Sequence, residues 1–407
     1  MSRIKLPQIG APRTARAAGV IGGQDSPGFV HRIKTKFMPG GMQAVPVSSF
    51  PYLFLLGTSG ANAVISVFDV ASPAVPVYVG TVSLGLGPLT VMYNVMMDSQ
   101  HIYALIGLGD GPHRVIIDVT TPASPTIVFH EGPPAPIYGG MLVRTGVSYA
   151  NNVMFTGAIA TANKTMRSVN ISNPASPALI NEVTIPSGAY NSGGFGYDAT
   201  HNRIYFLHNP ATLNADNYGY FNVASDGMIS WGGFTTIYSG LSPAAYGIIA
   251  KGLWWYNSLR ADYFYGFPLE PQSGTPSKSF VAYGDNGFHL NGILNPVVWD
   301  DRWFVHATHY TNANAYPLEF VDLNDATNPI TTRRHIGTLG STCNWFTIIG
   351  NFIYWLKGLD NHLMVTDLTD MDNLQTVNEI TLSTLTPLSI SASEVKMWTG
   401  NNGMCAT

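Results

Sequence analysis

One short motif recurs along the chain and limits the folds that the chain can adopt. In each copy an apolar run ends in Asp or Asn and is followed by a turn, which contains proline in the clearest copies. The Asp or Asn stands at Asp69, Asp118, Asn170, Asn222, Asp322 and Asp367, and a degenerate copy near Pro268 has lost it. Six intervals separate Asp69 from Asp367, so the mean period is about 50 residues, within the range of four-stranded propeller blades.

Each period contains further strand-like runs before and after the motif, which brings the count to four strands in each of seven periods. The chain of 407 residues is rich in Gly (42) and Pro (27) and only 11% charged, which fits short strands joined by tight turns. The sequence therefore predicts an all-β protein: a single seven-bladed β-propeller of four-stranded antiparallel blades with an extended N-terminal arm.

The Asp or Asn of the motif has a structural role in this prediction. A short polar side chain accepts a hydrogen bond from the backbone N–H two residues further on and so closes an Asx-turn. A proline that follows presets the turn and cannot continue the strand ladder. Because the pattern recurs with each period, we predict that these carboxylates and amides form turns and neither catalyse a reaction nor bind a metal.

Two copies of the motif also carry a family resemblance. ISVFDVASPAVPVYVGTV around Asp69 and RSVNISNPASPALINEV around Asn170 resemble the LVIVD repeat of bacterial and archaeal surface proteins. More loosely, the chain is similar to YVTN-type propellers. The resemblance covers roughly residues 40 to 383 and implies a propeller fold. Proteins with this repeat are usually exported. The resemblance implies no particular activity.

The domain prediction divides the chain into three parts: an arm over residues 1–28, a propeller over 29–390, and a C-terminal tail over 391–407. Residues 29–37 alternate polar and apolar side chains, which is typical of a half-buried strand, and we predict that they help to close the ring. A run from Leu388 stands where an eighth inner strand would begin. These two segments are expected to pair with each other or with the outer edge of a blade.

Charge is unevenly distributed along the chain. Residues 1–36 carry seven basic residues and one acidic residue, a net charge of +6, which leaves −10 for the remainder of a chain with a total of −4. Arg3, Lys5, Arg13 and Arg16 are the candidate docking residues of the arm, which we expect to order on a neighbouring protein; the alternative is a solvated tail with no dedicated partner. No apolar run resembles a signal peptide or a membrane span.

The richest aromatic segment, around residues 253–267, offers a candidate binding surface for a glycan or a protein. Its members are Trp254, Trp255, Tyr256, Tyr263 and Tyr265. The alternative interpretation is two strands of blade five with aromatic cross-strand pairs. His306 and His309 are three residues apart on one strand, so they face opposite sides and cannot share a metal. We predict no catalytic residue, metal site or cofactor.

Three functions from different classes remain open. The first is a non-enzymatic structural component of a bacteriophage virion, in the tail or capsid, assembled in the host cytoplasm. Its arm would dock it to other virion proteins in a symmetric assembly, and its propeller would bind neighbours or a glycan or protein of the host surface. The second is a bacterial cell-surface propeller that binds glycan or protein. The third is a propeller hydrolase or lactonase, which needs polar groups converging at the axis.

Overall fold

The described residues of the computed structural model form 28 strands between Tyr52 and Ala406, with no α-helix among them. The described residues are 52–89, 91–97, 100–132, 147–150, 153–159, 164–185, 195–198, 200–208, 217–236, 247–257, 263–270, 273–281, 293–308, 316–338, 343–357, 362–382 and 403–406. Within them no helix is long and apolar enough to cross a membrane. The all-β prediction is confirmed.

The strands form seven four-stranded antiparallel sheets, which are the blades of a propeller. From the axis outward, blade 1 consists of β28 (Gly403–Ala406), β1 (Tyr52–Ser59), β2 (Asn62–Asp69) and β3 (Val77–Ser83). Blade 2 consists of β4 (Val91–Met97), β5 (His101–Leu108), β6 (Gly111–Asp118) and β7 (Thr126–Glu131). Blade 3 consists of β8 (Val147–Ala150), β9 (Val153–Ile159), β10 (Lys164–Asn170) and β11 (Ala178–Thr184).

The remaining four blades follow the chain in the same way. Blade 4 consists of β12 (Phe195–Asp198), β13 (Arg203–His208), β14 (Asn217–Val223) and β15 (Ile229–Thr236). Blade 5 consists of β16 (Gly247–Ala250), β17 (Leu253–Asn257), β18 (Tyr263–Pro268) and β19 (Lys278–Val281). Blade 6 consists of β20 (Ile293–Trp299), β21 (Trp303–Thr308), β22 (Leu318–Asp322) and β23 (Arg333–Ile336). Blade 7 consists of β24 (Cys343–Ile349), β25 (Phe352–Lys357), β26 (His362–Asp367) and β27 (Gln375–Thr381).

The ring is closed by the last strand of the chain. The inner strands of successive blades lie side by side, and β28 lies between β24 and β4. β28 pairs with Leu53–Leu56 of β1, so blade 1 is built from both ends of the described chain. This strand belongs to the segment 391–407, and the prediction of a tail is wrong for these four residues. Residues 29–37 and the run from Leu388 to residue 398 lie outside the described residues.

The two middle strands of blade 1 are buried on both of their faces. In β1 and β2 six consecutive residues each are buried, whereas the outer strand β3 has no fully buried residue. A sheet covered on one face only would show alternating burial. Continuous burial follows from the stacking of each blade between two neighbours, and it explains why the middle strands read as unbroken apolar runs.

Hydrogen bonds tie successive blades together outside the strand ladders. Asn181 Nδ2 of blade 3 donates to Ile229 O of blade 4 at 2.8 Å. The other ties are Tyr218 Oη to Pro268 O at 2.9 Å, Lys278 Nζ to Asp325 O at 2.6 Å, Trp299 Nε1 to Gly350 O at 3.0 Å, and Tyr354 Oη to Pro73 O at 2.8 Å. These bonds link blades 3 to 4, 4 to 5, 5 to 6, 6 to 7, and 7 to 1. Each one provides a polar contact between two neighbouring sheets.

A β-bulge recurs at one place in five blades. The register between the third and fourth strands shifts at Val67/Phe68, Ile116/Ile117, Ser168/Val169, Tyr220/Phe221 and Val365/Thr366. In every case the shift lies one and two residues before the Asp or Asn of the repeat. A bulge inserts one unpaired residue into the outer strand and increases its twist.

The closure makes a prediction about stability. Truncation after residue 402 removes β28 and leaves the inner edge of β1 unpaired, because Leu53–Leu56 lose their partners. We expect a lower urea midpoint and a less cooperative unfolding transition by circular dichroism. Deletion of Thr407 alone keeps the strand and is the matched control. Equal midpoints for the two truncations would show that β28 does not hold the ring.

Candidate functional site

Five of the six repeat residues lie at the ends of third strands and accept a backbone hydrogen bond from the turn that follows. The backbone N–H two residues further on donates to Asp69, Asp118, Asn170, Asp322 and Asp367, at N···O distances of 2.7–2.9 Å. At Asp118 the hydroxyl of Thr120 also donates to the same oxygen, at 2.6 Å. The side-chain oxygens of these residues are therefore hydrogen-bonded to the backbone of their own turns.

The turn after Asn222 is built differently. Asn222 is exposed near the end of β14, and the hydrogen bond that caps this turn goes to Asp226, whose Oδ1 accepts from Met228 N at 2.9 Å. Ala224 N donates to Met228 O at 2.8 Å and closes a tight hairpin around Gly227, whose φ is 86°. Asn222 keeps the repeat position, but this turn has no proline and uses a later carboxylate.

The two kinds of turn can be compared directly by mutation. Asp118→Ala removes an acceptor from two hydrogen bonds, and each such bond contributes about 1 kcal/mol net. We expect Asp118→Ala to lower the free energy of unfolding by about 1–2 kcal/mol, and Asn222→Ala to change it by less than about 0.5 kcal/mol. Urea unfolding of both variants measures the difference. Equal losses would contradict the assignment of Asp226 as the cap of its turn.

Two of the residues predicted to form an aromatic binding surface on blade 5 are buried. Trp254 and Trp255 are 0% and 1% exposed, because adjacent residues of a middle strand face the two neighbouring blades. Trp254 packs in a cluster with blade 4, and Trp255 packs with blade 6, where its ring lies 6.0 Å from that of Phe304. Both are removed from the candidate binding residues. Tyr265 is partly buried beside Phe267, and the side chains of Tyr256 and Tyr263 lie outside the described part of the structure.

A buried polar cluster lies in blade 6, on the face toward blade 5. Glu319 is 1% exposed and accepts hydrogen bonds from His306 Nε2 at 2.7 Å, Arg333 Nη1 at 2.6 Å and His335 Nε2 at 3.2 Å. Burial alone would raise the pKa of Glu319, but these hydrogen bonds and the charge of Arg333 hold it well below its usual range. Three strands are joined by one carboxylate, which explains how this position tolerates a charge.

Because its folded pKa is depressed, Glu319 stabilises the fold at neutral pH, and this contribution is lost as the pH falls below the unfolded value of about 4.3. Glu319→Gln should therefore lower the free energy of unfolding by about 3 kcal/mol at pH 7, and by less near pH 3, where the unfolded carboxyl is protonated and the folded one is still ionised. Urea unfolding at several pH values measures this. Glu379→Gln, in the exposed pair with His362, is the control and should show little pH-dependent loss. A pH-independent loss for Glu319→Gln would contradict the ionised state.

Blade 2 departs from the repeat at a core position. Four residues before the repeat Asp or Asn, the other blades bury an apolar or tyrosine side chain that is 0% exposed: Ile65, Met166, Tyr218, Phe264, Leu318 and Leu363. Blade 2 has Arg114 there, 7% exposed. Its Nη2 donates to Glu131 at 2.6 Å and its guanidinium lies 5.1 Å from the ring centre of Phe129. Nε and Nη1 of this side chain are buried without a protein partner.

The exposed apolar side chains define the candidate interaction surface, which the sequence did not predict. Every large exposed apolar side chain of the described residues lies on an outer strand or in the turn before it: Val75, Val77, Val79, Leu179, Met228, Phe234 and Val377. Outer strands lie at the edges of the blades, and the neighbouring blades cover their side chains less completely than those of the middle strands. We call this surface the rim.

The first rim patch spans the boundary between blades 7 and 1. It consists of Val75, Val77 and Val79 from blade 1 and Val377 from blade 7, with Val75 and Val77 about 60% exposed. Asn378 Nδ2 donates to Ala74 O at 3.1 Å, which ties the turn that contains Val75 to the outer strand that contains Val377. An apolar group of this kind on a closed ring is available to another molecule.

The second rim patch spans the boundary between blades 3 and 4. It consists of Leu179 of β11 and Met228 and Phe234 of blade 4, all about half exposed. Asn181 ties the two blades here by a pair of hydrogen bonds with the backbone of Ile229. Asn181 and Asn378 both follow the bulge residue of their outer strand, so the same device underlies both patches.

The described residues contain no group of three or more His, Cys, Asp or Glu side chains that could hold a metal ion. The candidate docking residues Arg3, Lys5, Arg13 and Arg16 lie outside the described part of the chain. The described geometry therefore consists of turns, buried polar ties and the rim. Of these, the rim is the part that is exposed and apolar.

Comparison with known proteins bears on the fold. No protein-family model and no curated protein matches the sequence. A functionally unknown protein from Desulfotomaculum acetoxidans is similar in structure with a TM-score of 0.56 and 14% identity, over 86% of this chain and 98% of the other. A protein from Lactobacillus plantarum has a TM-score of 0.58 at 11% identity, over 87% and 99%. A hypothetical selenium-binding protein from Sulfolobus tokodaii has a TM-score of 0.54 at 11% identity, over 80% and 89%. At these identities the similarity shows the fold: this chain is a seven-bladed β-propeller.

Proposed function

We propose that this propeller is a non-enzymatic binding and assembly module, and specifically a structural component of a bacteriophage virion, in the tail or capsid. The observation that carries the proposal is the rim, where the exposed apolar side chains of the described residues are concentrated. Apolar patches rimmed by polar groups are typical of protein contact surfaces. The repeat itself is proposed to be of the LVIVD type, on the residues around Asp69 and Asn170.

The position of the two rim patches supports a symmetric assembly. They lie at different blade boundaries, one between blades 7 and 1 and the other between blades 3 and 4, and their side chains differ. Two different patches on one subunit allow head-to-tail contacts, which close into rings when the rotation between subunits permits. A valine patch meeting the Leu179 and Phe234 patch of the next subunit is the contact that this arrangement favours.

The N-terminal arm is proposed as the second point of attachment. Residues 1–36 carry +6 against −10 in the rest of the chain, so the arm is suited to an acidic partner surface. In this proposal the arm docks the propeller to the particle and the rim contacts neighbouring subunits. The remaining loops are then available to bind a glycan or a protein of the host surface.

A second candidate function is a bacterial cell-surface propeller that binds glycan or protein. Two aromatic side chains of β15 favour it: Phe234 is 54% exposed, and the ring of Trp231 lies 6.4 Å from it. Neighbouring aromatic rings at a surface are suited to sugar faces as well as to proteins. In that case the protein would be found on the cell envelope and not in particles.

The test is incorporation into phage particles produced from the genome that encodes the protein. We expect mass spectrometry to find the wild-type protein in purified particles. Deletion of residues 1–28 should abolish incorporation while circular dichroism shows a folded propeller. The double variant Val77→Asp/Val377→Asp should reduce incorporation at least tenfold, because it places charges in the first rim patch.

Thr184→Asp is the matched control for the double variant, since Thr184 is exposed on an outer strand outside both patches. It should be incorporated like the wild type. Absence of the wild-type protein from particles would overturn the virion proposal. Normal incorporation of both the truncated and the doubly substituted protein would overturn the roles given to the arm and the rim.

A further inference from the structure

Three polar side chains at one corner of blade 2 form a chain of hydrogen bonds that neither the repeat turns nor the rim explains. Asp110 lies in the hairpin between β5 and β6, His113 lies on β6, and His130 lies next to the end of the outer strand β7. Asp110 Oδ1 is 2.7 Å from His113 Nε2, and His113 Nδ1 is 2.8 Å from His130 Nε2. Both distances are those of ordinary hydrogen bonds, so each gap holds one proton.

The direction of both hydrogen bonds follows from Asp110. An ionised carboxylate only accepts hydrogen bonds, so His113 Nε2 donates to Asp110. A neutral imidazole carries one N–H, which leaves His113 Nδ1 as the acceptor for the N–H of His130 Nε2. The hydrogen bond from His113 also lowers the pKa of Asp110, which keeps this carboxylate ionised in mild acid. The chain of donors therefore runs from the outer strand, through β6, to the hairpin.

His113 is the fixed centre of this chain. Its side chain is buried, with 4% of the residue exposed, and Gly132 packs against its ring. A Cβ atom at residue 132 would lie 2.6 Å from His113 Cε1, so the ring has little room to turn away from His130. Asp110 and His130 are exposed, and protons from solvent therefore reach the chain at both ends.

Few other charges act on the two imidazoles. The nearest are Arg114 and Glu131 on the same two strands, where Arg114 Nη2 donates to Glu131 at 2.6 Å and the two charges offset each other. His113 lies on the same side of β6 as Val115, which belongs to the core cluster that includes the middle strands of blade 1. On the described elements packed against this side, the other groups that titrate below pH 8 all lie at the far ends of their strands: Asp69 of β2, His101 of β5 and Asp118 of β6. Protonation of the pair is therefore governed by Asp110 and by the two rings themselves.

The hydrogen bond between the rings requires one nitrogen without a proton. When the pair has gained no proton or one, an N–H···N contact remains. When it has gained two, an N–H of each ring points at the other, and two positive charges lie on rings whose centres are 5.1 Å apart. Burial and the charge of His113 lower the pKa of His130, in the same sense. Because the two rings interact, they titrate as a pair, and the second proton is the one that the closed arrangement resists.

We propose that the Asp110–His113–His130 chain is an acid-sensitive latch, which holds the end of β7 on β6 at neutral pH and releases it when both imidazoles are protonated. In the released form both imidazoles take up a proton at the ordinary value of about 6.5, whereas the closed form takes up at most one. The released form binds more protons, so it gains on the closed form by about tenfold per pH unit below that value. The inference does not depend on the proposed function.

The test is hydrogen–deuterium exchange of the full-length protein, followed by mass spectrometry on peptides that cover residues 126–132 and corrected for the intrinsic effect of pH on exchange. In the wild type, we expect exchange of these amides to rise at least tenfold between pH 7 and pH 5. His130→Gln should abolish the rise, because the glutamine amide donates to His113 Nδ1 and takes up no proton in this range. Asp110→Asn should move the rise to lower pH, because it removes the charge that favours protonated rings. Both positions are exposed, and circular dichroism checks that the variants are folded.

His362→Gln is the matched control, because His362 is bonded to Glu379 of an outer strand and not to a second imidazole. This variant should keep the wild-type rise at residues 126–132. The outer strand β3 of blade 1 contains no histidine and is the internal reference, whose exchange should not rise. A rise in His130→Gln as large as in the wild type, or an equal rise in β3, would overturn the latch. So would corrected exchange of the wild type that is independent of pH.

Discussion

The whole molecule depends on the fact that a single blade cannot cover its own faces. The middle strands of blade 1 are buried on both sides, so each sheet needs a neighbour on its left and on its right. Only a closed ring gives every sheet two neighbours. The pairing of Leu53–Leu56 with Gly403–Ala406 supplies this closure, and it joins residues that are 347 to 353 positions apart in the chain. Closure is therefore the step with the largest loop entropy, and the apolar area buried between blades offsets it.

Backbone hydrogen bonds within each blade show how a degenerate repeat still makes a regular ring. The residue after the repeat position donates its backbone N–H to the turn between the first two strands, as Val119 does to Gln100 O and Leu323 to Arg302 O. Leu269 makes the same bond in blade 5, where Pro268 stands in place of the Asp or Asn. The backbone bond and the buried apolar side chain thus persist where the turn residue has changed. Polar departures such as Arg114 and Glu319 are placed where a partner on the same blade compensates their charge.

The number of blades and most of their turns could be predicted from the sequence, because the period and the Asx-turns are local properties. Asp118 and its equivalents bond to residues only two positions away, so the chain itself contains the evidence. Closure by Gly403–Ala406 could not be predicted, since four small or flexible residues carry no strand pattern. The burial of Trp254 and Trp255 depends on blades 4 and 6, and the exposure of Val77 and Val377 depends on two chain ends of the ring meeting. Such contacts are determined by the stacking of sheets, so a local sequence pattern does not predict them.

The recurrent bulge in the outer strands decides how another molecule can attach to this ring. Five blades have one extra residue at the same position of the outer strand. This bulge interrupts the regular spacing of the N–H and C=O groups on the outer edge, so a strand of another molecule cannot pair along its full length. In blades 1 and 7 the inserted residues are Val79 and Val377, which are directed outward. The bulges therefore disfavour the growth of these blades into continuous sheets with another copy. Binding to another molecule then depends on the shape and polarity of the exposed side chains. Substitutions can change these contacts singly without altering the ring.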